Sequence, residues 1–153
     1  LDLDDAGSTY GAMTLHILKL CVGCESVEDL EHWQRQRARD LPGGLPRHVT
    51  RMWPKRGDAV LDGGSIYWVI KGTVLVRQRI LRLDPVEGAD GVTRCAFVLD
   101  PDLVRTEPAP RRPFQGWRYL QPEDAPRDLP ALRAGDDDLP PELAEALANF
   151  GLR

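Results

Sequence analysis

A chain of 153 residues with a net charge of −4 and 42% hydrophobic residues has the size of one domain with a core of its own. Its uninterrupted apolar runs, such as Ile66 to Ile70, fall far short of the roughly 20 residues of a membrane-crossing helix. The acidic start "LDLDDAGSTYGA" also lacks the basic head and apolar stretch of a secretory leader, so a soluble, cytoplasmic chain without a membrane partner is expected.

Regular structure is expected to begin at "MTLHILKL", with Met13 as the natural start and residues 1–12 as an extension outside the fold. "TLHILKLC", Thr14 to Cys21, is rich in branched apolar residues and bounded by Gly23, which predicts a first strand. Ser26 followed by Asp29 resembles a capping box, and Val27, Leu30, Gln34, Ala38 and Leu41 continue at helical spacing until "PGGLP" ends the helix. "RHVTRMW", Arg47 to Trp53, suits a strand with Val49, Arg51 and Trp53 on one face and His48, Thr50 and Met52 on the other. Pro54 opens a short helix, "PKRGDAVLD", that Gly63 and Gly64 stop.

Ser65 to Gly72, Thr73 to Asp84 and Val92 to Asp100 read as an antiparallel meander, with Arg77 and Arg79 on one strand face. The Pro-rich "EPAPRRPFQG", Glu107 to Gly116, is expected to cross as an extended loop, and "WRYL", Trp117 to Leu120, to return as a short strand. An acidic, Pro-rich segment follows, then a last helix from Pro140 to Phe150 with Leu143, Leu147 and Phe150 on its inner stripe. The fold class is therefore α+β: a small antiparallel β-barrel or strongly curved sheet with flanking helices. Residues 13–120 form the domain, and residues 121–153 form an acidic segment whose helix packs on it.

Three cysteines cannot all pair, and no structural disulfide is expected. Cys21 and Cys24 make a C-x-x-C, yet zinc needs about four ligands and no second half-site exists, so neither a metal nor a cofactor is expected. Phosphate-loop, G-x-G-x-x-G, H-E-x-x-H and G-x-S-x-G motifs are all absent.

Charge is distributed unevenly. Residues 1–46 carry 4 basic and 8 acidic side chains, residues 47–118 carry 13 and 8, and residues 119–153 carry 3 and 8. A basic middle is the footprint of a polyanion site. Within it, "TRMWPKR" places Arg51, Lys55 and Arg56 around Trp53, and "RRPFQGWRY" places Arg111 and Arg112 near Trp117 and Tyr119. With Arg77 and Arg79, these cations are the candidate contacts to phosphates, and the aromatics the candidate stacking groups, of an RNA or nucleotide partner. The candidate groups for catalysis are Thr50 as nucleophile, Lys55 as activating amine and Glu107 as carboxylate. A third reading is a protein-interaction module that docks a partner through the acidic tail and the Pro-rich strap.

"LHILKLCVG", "VTRMWPKR", "GGSIYWVIKG", "VLDPDLVRTEP" and "RRPFQGWRYL" resemble the domain-of-unknown-function family 1489, a group of short alphaproteobacterial proteins. The resemblance covers Thr14 to about Asp128, leaves the acidic tail outside, and implies no activity. More distantly, the order "TRMWPKR", short helix, "GGSIYWVI", "TVLVRQRIL" is similar to PUA-like domains, including the ASCH group, although "GGS" replaces their usual G-D. That similarity implies a small barrel that binds RNA or modified bases, or an amidohydrolase of acylated cytidine using Lys, Thr and Glu.

Overall fold

The computed structural model describes residues 13–130. The elements in chain order are β1 (His16–Leu20), α1 (Val27–Ala38), β2 (Arg47–Thr50), α2 (Gly57–Leu61), β3 (Ser65–Ile70), β4 (Thr73–Glu87), β5 (Thr93–Leu99), β6 (Val104–Pro110) and β7 (Trp117–Leu120). The expected C-terminal helix and the expected extension at residues 1–12 lie outside the described residues.

Local rules account for much of this. Ser26 caps α1, its Oγ accepting from the Asp29 N–H at 3.1 Å, while the Asp29 carboxylate accepts from the Glu25 N–H at 3.0 Å. Gly64 joins α2 to β3 where a Cβ would lie 2.2 Å from the Val60 carbonyl oxygen and 2.3 Å from that of Leu15, so only glycine fits there.

Among the described residues seven strands form one sheet, in the order β2-β5-β4-β3-β1-β7 with β6 also pairing with β4. The 15-residue β4 carries two partner sets: its first half lies between β3 and β6, and its second half pairs with β5. Register shifts at Trp68/Val69, Val74/Val76 and Ile80/Arg82 mark the irregular positions along β4 and β3. Side chains are buried on both faces of the sheet. Ile17, Ile66, Trp68, Val76, Ile80 and Phe97 belong to the larger core, under α1, and Leu18, Tyr67, Val69 and Val74 to a smaller one opposite.

The α+β class holds, with corrections to its detail. The sheet is mixed rather than antiparallel, because β1 runs parallel to β3, with α1, β2 and α2 making the crossover. Among the described residues the barrel is not closed: β2 and β7 end the strand order and do not pair with each other. Part of the gap between them is spanned by residues 51–56, where Trp117 Nε1 donates to the Met52 carbonyl at 3.0 Å and the Arg56 N–H donates to Tyr119 Oη at 3.0 Å.

β2 stops at Thr50 rather than Trp53, since the chain must turn there to reach β7, and α2 begins at Gly57 rather than Pro54. The Pro-rich stretch is a strand through Pro110, not a loop; the prolines are tolerated because β6 lies outside the main strand order. Its other side takes the segment after β7, with the Glu107 N–H donating to the Arg127 carbonyl and Thr106 bridging to Asp128. Contrary to expectation, Cys21 and Cys24 form a disulfide, their Cα atoms brought to 5.6 Å by a turn in which Gly23 has φ +85°. Among the described residues no helix is long and apolar enough to cross a membrane.

Candidate functional site

Alternation along β1 places Lys19 on the same side of the sheet as Ile17, facing the larger core. A lysine in that position needs either a partner or a cavity. Its Nζ donates to the adjacent Leu20 carbonyl at 3.1 Å, and burial holds its pKa below the ordinary lysine value. It opens onto a cavity of about 180 Å³ between the end of β1, the inner side of α1 and the start of β2.

The walls of this cavity combine aromatic rings with cations. Trp33 and Trp68 contribute indole surface, and Lys19, Arg37 and Arg47 contribute positive charge; among the described residues no lining side chain is a carboxylate. The Arg37 guanidinium lies 5.9 Å from the centre of the Trp33 ring. His48 stands edge-on to Trp68, with ring centres 5.4 Å apart and planes at 88°. Burial, reinforced by the charges of Lys19 and Arg37, pushes the His48 pKa down to about 4, so its imidazole is neutral at pH 7 and carries one donor and one acceptor.

A buried amide network sets the back of this cavity. Gln78 is 0% exposed, and its amide faces that of Gln34 in a reciprocal pair, with hydrogen bonds of 2.8 and 2.7 Å. Gln78 Oε1 also accepts from Trp68 Nε1 at 2.9 Å, and its Nε2 donates to the Asp100 carbonyl at 3.0 Å. The network ties α1 to β4 and fixes the tilt of Trp68.

The residues proposed from sequence separate into three places. Arg51, Trp53, Lys55 and Arg56 lie in the loop that spans to β7, and Met52, Trp53, Lys55, Trp117, Arg118 and Tyr119 line a shallow apolar depression of about 330 Å³. Trp53 (39% exposed) and Tyr119 (37%) present their rings to solvent, whereas Trp117 (5%) is part of the core. Among the described residues Arg51, Lys55, Arg56 and Arg118 make no ion pair with a carboxylate.

Arg111 and Arg112 do not join this patch. The Arg111 N–H donates to the Gly72 carbonyl at the β3–β4 turn, and its guanidinium donates to the Pro110 and Asp124 carbonyls. The expected second wall is thus Arg118 and Tyr119 instead. Arg77 and Arg79 share a face, as expected, on the opposite side of the sheet from Gln78. Arg77 is paired with Asp128 through two hydrogen bonds of 2.7 Å. Thr50 ends β2 opposite Cys95, Lys55 lies in the spanning loop and Glu107 is exposed on β6; no hydrogen bond or cavity among the described residues joins the three.

Lys19, Trp33, Gln34, Arg37, Arg47, His48, Trp68 and Gln78 were not among the sequence-derived candidates. The signal for two of them was a polar residue at a buried parity: Lys19 after Leu15 and Ile17, and Gln78 between Val76 and Ile80.

No curated protein and no solved structure matches the chain. The family model described as "Protein of unknown function (DUF1489)" matches residues 17–153. The match includes the acidic tail, which the sequence resemblance had left outside. The chain belongs to the DUF1489 family.

Proposed function

We propose that the chain binds RNA or a nucleotide by taking one base into the cavity beneath α1. The observation that carries this reading is the composition of that cavity: among the described residues, three cations and no carboxylate around two tryptophans and a neutral histidine. Indole faces suit the planar ring of a base, a neutral imidazole offers hydrogen bonds to its edge, and Lys19, Arg37 and Arg47 suit an attached phosphate. The exposed rings of Trp53 and Tyr119 among Arg51, Lys55, Arg56 and Arg118 extend the same chemistry over the surface, as a single strand requires. The distant similarity to PUA-like domains is in keeping with it, through a strongly curved sheet that leaves an open edge beside the cavity.

The test is fluorescence-polarisation binding of a short labelled single-stranded RNA over a salt series, with Lys19→Met and Arg37→Gln as variants. Affinity that falls steeply with salt in the wild type and drops about tenfold or more in each variant supports the proposal. Affinity indifferent to both salt and substitution refutes it. No observation gathers Thr50, Lys55 and Glu107, so the amidohydrolase reading is not carried further.

A further inference from the structure

The sheet face opposite the base cavity holds a second cleft, of about 460 Å³, between the outward residues of β1, β3 and β4 and the segment from Pro122 to Asp128 that roofs them. Its side chains are mostly hydrogen-bond donors. His16, Arg77, Arg79 and Arg127 line it, against one carboxylate among the described residues, Asp128, which is engaged on both oxygens by Arg77. Arg77 spends a further N–H on Ser65 Oγ at 3.1 Å, so its guanidinium is a fixed part of the wall. Arg79 and Arg127 are exposed and make no ion pair among the described residues.

Two details point to a ligand. The Ser65 N–H donates to His16 Nδ1 at 3.0 Å, which places the proton of a neutral ring on Nε2, where no acceptor takes it among the described residues. Tyr67 lines the same cleft and is only 4% exposed, yet its hydroxyl has no hydrogen-bond partner among the described residues. A phenol with no partner among the described residues keeps its O–H for an incoming acceptor. The His16 ring packs edge-on to Tyr67 at 5.0 Å between centres, so the two groups are held side by side.

We propose that this cleft is an oxyanion site that takes a phosphate group, with Tyr67 Oη, His16 Nε2, Arg79 and Arg127 as its donors. The carboxylate of Asp128 is taken up by Arg77, and the planar guanidinium forks of Arg79 and Arg127 match the tetrahedral oxygens of phosphate. The same chemistry serves a free phosphate or phosphomonoester and a backbone phosphodiester. Because the cleft and the base cavity lie on opposite faces, this assignment does not depend on base binding.

Isothermal titration calorimetry of the full chain at low ionic strength tests it, with inorganic phosphate, a sugar phosphate and a short single-stranded oligonucleotide as separate titrants. Wild type is expected to bind at least one of them saturably. The Arg79→Ala/Arg127→Ala variant should bind that titrant about tenfold or more weakly. Tyr67→Phe, which keeps the ring and its packing, should weaken binding several-fold with an unchanged melting temperature, so the test survives if the double variant folds poorly. Cleft-dependent binding of phosphate or the sugar phosphate identifies a small anion as the source, and of the oligonucleotide alone, a backbone phosphate. Absence of saturable binding by all three, or binding equal in wild type and both variants, overturns the proposal.

Discussion

Replacing Gln78 with leucine keeps the volume of a fully buried side chain and removes all four of its hydrogen bonds. The consequences for the partners differ. Gln34 is half-buried and can turn its amide toward water, so its loss is small. Trp68 is 4% exposed, and its indole N–H is left buried without an acceptor; the half-buried Asp100 carbonyl loses a donor as well. Orphaning a buried polar group costs about 1–3 kcal/mol, so the variant should lose on the order of 3 kcal/mol. That is a large part of the roughly 5–15 kcal/mol by which a domain of this size is stable. Urea unfolding of the wild type, Gln34→Leu, Gln78→Leu and the double variant measures it. Gln34→Leu should cost about 1 kcal/mol, and the double variant should cost less than the sum of the singles, since the two amides satisfy each other. A Gln78→Leu variant within about 0.5 kcal/mol of wild type would refute the view that this amide carries the joint between α1 and β4.

Stability should depend on pH through His48. Its folded pKa of about 4 lies below the unfolded value near 6.5, so between those values the unfolded chain binds the extra proton. Stability is therefore full above about pH 6.5 and falls on acidification toward pH 4, by on the order of 3 kcal/mol, and His48→Gln should flatten that part of the urea-midpoint profile. Gly64→Ala should cost more than about 3 kcal/mol or prevent folding, because its Cβ would overlap two backbone carbonyls that cannot yield; a near-wild-type melting temperature would contradict the packing described. Asp128→Ala breaks a partly exposed bidentate pair and should cost only about 1 kcal/mol. It should nonetheless speed limited proteolysis after Leu120, where the roof segment is held to the sheet by few other bonds.

Local signals carried the elements whose cause is local. The Ser26 cap, the Gly63–Gly64 stop, the β3–β4–β5 meander and the shared face of Arg77 and Arg79 are set by residues adjacent in the chain. Features with distant causes were not legible. The parallel pairing of β1 with β3 leaves no mark on either strand's alternation. The early end of β2 depends on Trp117 reaching the Met52 carbonyl from 65 residues away. The site was harder still, because the arginine-rich stretches lie on the surface, while the cavity is assembled from residues of four separate elements, β1, α1, β2 and β3. Lys19 and Gln78 were readable as polar residues at buried parity; that His48, Trp33 and Trp68 meet around them follows only from the fold.

The most direct test of a base-binding cavity is a ¹H–¹⁵N spectrum of the indole N–H groups during titration with nucleoside monophosphates and then with a short single-stranded RNA. The chain has 4 tryptophans: Trp33 and Trp68 report on the cavity, Trp53 on the surface patch, and the buried Trp117 on the floor of that patch. Saturable shifts of the Trp33 and Trp68 signals are expected with at least one ligand. Shifts confined to Trp53, or no shift at any indole, would contradict base binding in the cavity.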